Sequence, residues 1–165
     1  MNINKTKFNY KKSRSHKKGF TLIEILVVIG IIAVLAGVVL VAVNPARQFK
    51  LARDSQRTSN VTALLSAIGQ NIAEHKGIFT CTDSAVTFSS ATTTIKHDST
   101  SGGVDIAPCI VPNYISSLPY DPASTTAFYT STSTYNTAYS VSQDTDGRIT
   151  VSANGELTPM IFVTR

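Results

Sequence analysis

Apolar and polar positions along the chain fall into three regions of different periodicity. From Ile25 to Val43, 19 consecutive residues carry no charge and no strongly polar group. At ~1.5 Å per residue a helix of that length spans about 28 Å, close to the ~30 Å hydrocarbon core of a bilayer, so a membrane-spanning helix is expected here. A removable secretory signal has a shorter apolar region, of about 7–15 residues, followed by a small-residue cleavage site. Val41-Ala42-Val43 makes a poor one. Within the run, Gly30, Ala33 and Gly37 are spaced i, i+3, i+7, placing three small residues on one face. Such stripes let helices approach closely in apolar surroundings.

The second region is amphipathic. Val61, Leu64, Leu65, Ile68 and Ile72 recur at helical spacing and need a covering layer. His75 and Lys76 followed by Gly77 mark its end. Pro45 interrupts the transition, and because helical patterning resumes at once the expectation is a kink rather than a stop. Phe20 to Lys76 is then one long helix of about 85 Å, apolar all round in its first half and amphipathic in its second.

The third region, 77–165, is rich in hydroxyl side chains: 24 of the 61 residues from Thr80 to Ser140 are Ser or Thr. Strand-like alternation appears at Val86/Phe88, at Tyr139/Val141 and most clearly at Ile149/Val151/Ala153. Asp144-Thr145-Asp146-Gly147 and Ala153-Asn154-Gly155 are turn chemistry. Residues 138–163 therefore read as a three-stranded meander, and 98–126 as loop. The expected fold is α+β, a long N-terminal helix whose amphipathic half packs on a small antiparallel sheet head.

Charge adds topology. The chain of 165 residues has a formal net charge of +5, which alone suggests nucleic acid or an anionic membrane as partner. Lys5, Lys7, Lys11, Lys12, Arg14, Lys17 and Lys18 precede the apolar run with no acidic residue among them, and the remaining 146 residues carry a balance of −2. A basic tail in front of a span places the N-terminus in the cytoplasm and the rest outside. No direct nucleic-acid contact is expected of the head, where residues 61–165 hold 4 basic and 8 acidic groups. Arg47, Lys50, Arg53 and Arg57 lie on one broad helix face opposed only by Asp54. The simplest reading is a solvated face; lipid phosphates, a neighbour's acidic head and nucleic acid are the functional alternatives.

Glu24 is out of place in a plain anchor, since a charge within the bilayer is costly. If the chain were cut after Gly19, Phe20 would gain a free amino group four residues from Glu24 on the same helix face. Lys18-Gly19-Phe20-Thr21-Leu22-Ile23-Glu24 followed by an uninterrupted apolar helix resembles the processing signal of type IV pilins and pseudopilins. The resemblance implies cleavage between Gly19 and Phe20 by a prepilin peptidase and N-methylation of Phe20. It further implies a role for Glu24 in assembly, neutralising the amino terminus of a neighbouring subunit. Leu118-Pro119-Tyr120-Asp121-Pro122 also resembles the Leu-Pro-x-Asp-Pro element of that family. Major pseudopilins continue with Trp-Gly, whereas this chain continues Ala123-Ser124, which favours a pilus subunit over a secretion component.

The expected organisation is a basic leader removed at 1–19, a transmembrane and assembly helix at 20–44, an amphipathic helix at 45–76 and a Ser/Thr-rich β head at 77–165. Cys81 and Cys109, both on the outer side, favour a disulfide in an oxidising compartment; two free thiols are the alternative in a reducing one. His97-Asp98 with abundant serines makes no Gly-x-Ser-x-Gly elbow, and chance pairing explains it. Asp144 and Asp146 are a fragment of a calcium loop that a hairpin turn explains equally well. Asn60-Val61-Thr62 matches a glycosylation sequon placed on a helix. The sequence thus predicts a non-enzymatic filament subunit without cofactor, whose partners are copies of itself, the peptidase, the inner membrane, and the pilus assembly platform and ATPase. A pseudopilin of a type II secretion or DNA-uptake system is the alternative, followed by a membrane-tethered binding or enzymatic domain.

Overall fold

The computed structural model describes residues 19–82, 84–97 and 102–165, in two units that divide between Val43 and Asn44. The first contains helix α1, Leu22–Val43, and none of its residues is buried. It is the one described helix long and apolar enough to cross a membrane.

The second unit, Asn44–Arg165, starts with the 30-residue helix α2, Pro45–Glu74. The expected kink at Pro45 is instead a break. The ring of a proline disfavours α geometry in the residue before it, and Asn44 adopts a left-handed conformation (φ 45°) that asparagine tolerates better than most. Its side chain accepts from the Arg47 N–H at 3.3 Å, capping α2, while Pro45 occupies a first-turn position where its missing N–H costs nothing. At the other end Gly77 (φ 92°) donates to the Ile72 carbonyl at 2.9 Å, closing the helix.

The buried face of α2 comprises Asp54, Arg57, Val61, Leu64, Leu65, Ala67, Ile68 and Asn71, so the apolar stripe carries polar residues at both ends. It packs on a six-stranded mixed sheet. The strands are β3 (Thr93–Lys96), β4 (Gly103–Val104), β5 (Phe128–Ser131), β6 (Thr134–Gln143), β7 (Ile149–Asn154) and β8 (Met160–Thr164), in the order β4-β3-β6-β7-β8, with β5 also pairing β6. All pairings are antiparallel except β3 with β4. The expected meander is present as β6–β8, and strand alternation decides which side each residue faces. Tyr135, Thr137, Tyr139, Val141, Ile149, Val151, Ala153 and Ile161 are buried, while Ser140, Ser142, Thr150 and Ser152 form a hydroxyl row on the other face.

Two expectations need correction. Val86 and Phe88 are not in a strand; the local pairing is between β1 (Thr80–Cys81) and β2 (Ser84–Ala85), and Phe88 is buried against Phe79 at a ring separation of 5.0 Å. The segment 98–126 is not all loop, since it contains β4 and a short helix α3, Ala107–Ile110. Cys81 of β1 and Cys109 of α3 are joined by a disulfide. Asn71 pins the same two elements: its side-chain amide donates to the Thr80 and Cys109 carbonyls (2.9 and 3.1 Å) and accepts from the Thr80 N–H (2.9 Å). These elements are too short to stand on local propensity and depend on such ties. The disulfide closes a loop with a sequence separation of 28, for which the chain-entropy account gives about 3–4 kcal/mol. Replacing Cys81 and Cys109 together by Ser should lower the unfolding free energy of the head by that amount, measured by denaturant titration; an unchanged midpoint would contradict it.

Candidate processing and assembly site

Gly19 and Phe20 are exposed and lie just before α1. Thr21 precedes the first helical residue. Its hydroxyl accepts from the Glu24 N–H at 3.2 Å, while the Glu24 carboxylate lies 3.5 Å from the Thr21 N–H. This reciprocal pair is a capping box, and it gives Glu24 a structural job at the start of the helix. The Thr-x-x-Glu spacing that encodes it is visible in the sequence and was missed in favour of the Phe20 amine. Gly30, Ala33 and Gly37 are exposed on α1, and a Cβ added at Gly30 or Gly37 would meet nothing within 4 Å. Nothing in this chain's own packing therefore calls for glycine at either position, where it costs ~1 kcal/mol of helix stability relative to Ala.

The remaining candidates resolve into local structure. Asp144 accepts from the Asp146 and Arg148 N–H groups (3.0 and 2.8 Å), and the Arg148 guanidinium reaches Asp144 at 2.9 Å and Asp146 at 3.3 Å. With Gly147 at φ 83° this is a salt-bridged hairpin turn, and the cation between the two carboxylates is an arginine. Among the described residues no group of three or more His, Cys, Asp or Glu is placed to hold a metal. Asp98 lies outside the described residues; the carboxylate beside His97 is Asp105, at 3.1 Å, which also accepts from the Tyr135 hydroxyl at 2.8 Å. Asn60 is half-buried, its amide donating to the Tyr139 hydroxyl (2.8 Å) and the Tyr120 carbonyl (3.3 Å). His75 donates through Nδ1–H to the Asn71 carbonyl, 2.7 Å away, at the C-terminal end of α2.

The basic face of α2 is where the solvated reading fails. Arg57 is 3% exposed. Its guanidinium donates to both oxygens of Asp121 (2.7 and 3.0 Å), to Asp54 (2.7 Å) and to Glu156 (3.1 Å). Arg53 makes a second two-pronged pair with Glu156 (2.5 and 2.6 Å). The carboxylates are further held by the backbone. Asp54 accepts from the N–H groups of Glu156, Leu157 and Thr158, and Asp121 from those of Ala123 and Ser124. Gly155 makes the first wrap possible, because a Cβ there would lie 2.1 Å from the Thr158 carbonyl oxygen. The Asp of the Leu-Pro-x-Asp-Pro element is thus the counter-ion of a buried helix arginine. The backbone N–H of Glu156 leads the groups that hold Asp54 well below the usual carboxylate range. The Arg53 guanidinium does the same for Glu156, lowering it to about 2, and Arg57 lowers Asp121 against the opposing effect of burial. Groups whose folded pKa is depressed stabilise the fold above their unfolded value and release that stability as pH falls through the folded one. Stability of the head should therefore decline as pH drops from about 4.5 toward about 2, the window set by Glu156. Arg57→Met should flatten that decline and lower stability at pH 7, as followed by tyrosine fluorescence in denaturant at each pH. A parallel offset, with an unchanged slope against pH, would show the network does not carry the acid dependence.

The geometry at the front of the chain is a free Gly-Phe junction, a capped helix start bearing a carboxylate, and a bare apolar span. Residues 14–40 match the prokaryotic N-terminal methylation motif. Comparison with curated proteins gives no match, nor does comparison with solved structures. The motif and the apolar helix fit a membrane-anchored precursor processed by a prepilin peptidase. Residues 14–40 of this chain carry the prepilin signature of type IV pilins and pseudopilins.

Proposed function

We propose that this chain is a structural subunit of a type IV pilus or pilus-like filament, with no chemistry of its own. The observation that carries the reading is the methylation motif running into an apolar helix of 22 residues, none of them buried. In this reading residues 1–19 are a leader that the peptidase removes, and Phe20 becomes the methylated N-terminus of the mature subunit. Residues 20–44 anchor the precursor in the inner membrane and then form the filament core. The amphipathic helix 45–76 and the head 77–165 stay outside and reach the cell surface on assembly. Gly30, Ala33 and Gly37 would allow close helix approach between subunits, the use that the fold of a single copy does not supply. Pro45 and the break before it would separate the part that changes surroundings from the part that does not. Glu24 would meet the Phe20 amino group of a neighbouring copy and set register; methylation leaves that amine charged, so the attraction survives processing. The alternative within the same class is a pseudopilin of a secretion or DNA-uptake machine, disfavoured by Ala123-Ser124 where major pseudopilins have Trp-Gly.

Intact-mass measurement of the membrane and surface forms should give a mature N-terminus at Phe20 carrying one extra methyl group. Glu24→Ala should leave that processing largely intact and sharply reduce sheared filaments seen by electron microscopy. Wild-type filament yield from Glu24→Ala would remove Glu24 from assembly, and a different mature N-terminus would overturn the family reading.

A further inference from the structure

Arg53 and Arg57 are consumed by the head, which leaves Arg47 and Lys50 as the unexplained half of the basic face. Their side chains have no acidic partner among the described residues, and the carboxylate four positions beyond Lys50, Asp54, is held by Arg57 and three backbone N–H groups. Residues 45–52 are exposed, and of these Leu51 borders a depression lined by Thr158, Met160 and Phe162 of the head. They carry two large apolar side chains as well: Phe49 is 64% exposed and Leu51 37%.

We propose that Arg47, Phe49 and Lys50 form a belt of lipid-headgroup contacts around the start of α2 that seats it on the outer leaflet of the membrane, with phosphate groups of anionic lipid as the ligand. The argument rests on the reading of Leu22–Val43 as the membrane span. Residues 47–51 follow Val43 by four to eight positions; two steps across the break at Asn44 span at most about 7 Å and the six helical steps from Pro45 to Leu51 about 9 Å, so they lie within about 16 Å of its end whatever direction the chain takes. The headgroup layer on each side of the hydrocarbon is about 5–8 Å thick, and Lys and Arg side chains snorkel several ångströms to reach it. The covalent tether therefore holds both cations in or beside the phosphate layer. Helical spacing turns Phe49 to a different side of α2 from Arg47, with Lys50 about a quarter-turn away, so the ring and the cations share a depth rather than a face. That is the composition the membrane–water interface selects, with the ring at headgroup level and the cations on phosphate. A neighbour's acidic head offers the same sign of charge, but no tether places it there while the subunit is still a single copy in the membrane.

The chain contains no tryptophan, so one introduced residue reports its own surroundings. Full-length protein with Phe49→Trp would be reconstituted at low density in phosphatidylcholine vesicles with and without phosphatidylglycerol, with brominated acyl chains as quencher. Val34→Trp, in the middle of α1, serves as the reference for the span. The expected result is a blue-shifted, lipid-quenched Phe49→Trp signal that is stronger with phosphatidylglycerol. The ratio of seated to free probe should fall by roughly fivefold for each cation removed in Arg47→Gln and Lys50→Gln. A quenched Val34→Trp beside a Phe49→Trp signal like that in water, or one indifferent to both substitutions, overturns the inference and leaves the span intact. Quenching of Phe49→Trp that depends on protein density rather than lipid charge overturns it in favour of a neighbouring subunit. An unquenched Val34→Trp removes the span, and the inference with it.

Discussion

Twenty-two residues of helix whose side chains are all uncovered present water with a surface it strongly disfavours. Each fully buried Val, Leu, Ile or Phe is worth about 1.5–3 kcal/mol relative to exposure, so α1 must find lipid or other protein. Every other part of the molecule is arranged around that demand. The head has a core of its own, built between α2 and the sheet. The chain therefore keeps two separate cores, one of its own and one that its surroundings must supply. The break at Asn44 falls between the two requirements.

Keeping the head independent has its own cost. A domain of this size, with an outer sheet face of hydroxyls and several elements of two to four residues, buries a modest core. Three ties supplement it, at different places along α2. Near its middle Arg57 gathers the Leu-Pro-x-Asp-Pro loop and the β7–β8 turn, at its end Asn71 holds β1 and α3, and the Cys81–Cys109 disulfide locks those last two together. The buried arginine is tolerable in electrostatic terms because each of its three nitrogens meets a carboxylate, and those carboxylates are held in turn, Asp54 and Asp121 by backbone N–H groups and Glu156 by Arg53. Among the described residues no buried side-chain nitrogen or oxygen lacks a hydrogen-bond partner.

This division also explains what could be read in advance. The span, the amphipathic stripe and the β6–β8 meander were legible because each is encoded by periodicity over ten or more neighbouring residues, the scale on which packing of one face dictates pattern. The β1–β2 pair, β4 and α3 were not, since they persist through contacts made across the fold rather than through local preference. Arg57 is the instructive failure. Asp54, Arg57, Val61, Leu64 and Ile68 share the spacing of the buried stripe, so its burial was written in the same pattern that placed Val61 in the core. Its charge argued for solvent, and the acids that reverse that argument lie 64 and 99 residues away. No window along the chain contains both.

Glu24 brings the two halves of the argument together at the other end of the molecule. Its bond to the Thr21 N–H is long, 3.5 Å, whereas the Thr21 hydroxyl holds the Glu24 N–H at 3.2 Å. The second contact fixes the helix start; the first takes up little of a carboxylate that has room for several donors. Both partners lie after Phe20, so removing residues 1–19 leaves the capping box whole. The proposed cleavage at Gly19–Phe20 would then add an amine one residue before the cap without removing anything that orients the carboxylate. A charged acceptor held in place by its own backbone, and left mostly free, is what a neighbouring subunit's amino terminus needs to find within an apolar bundle. The capping role of Glu24 is therefore compatible with the assembly role proposed for it, and would prepare its geometry.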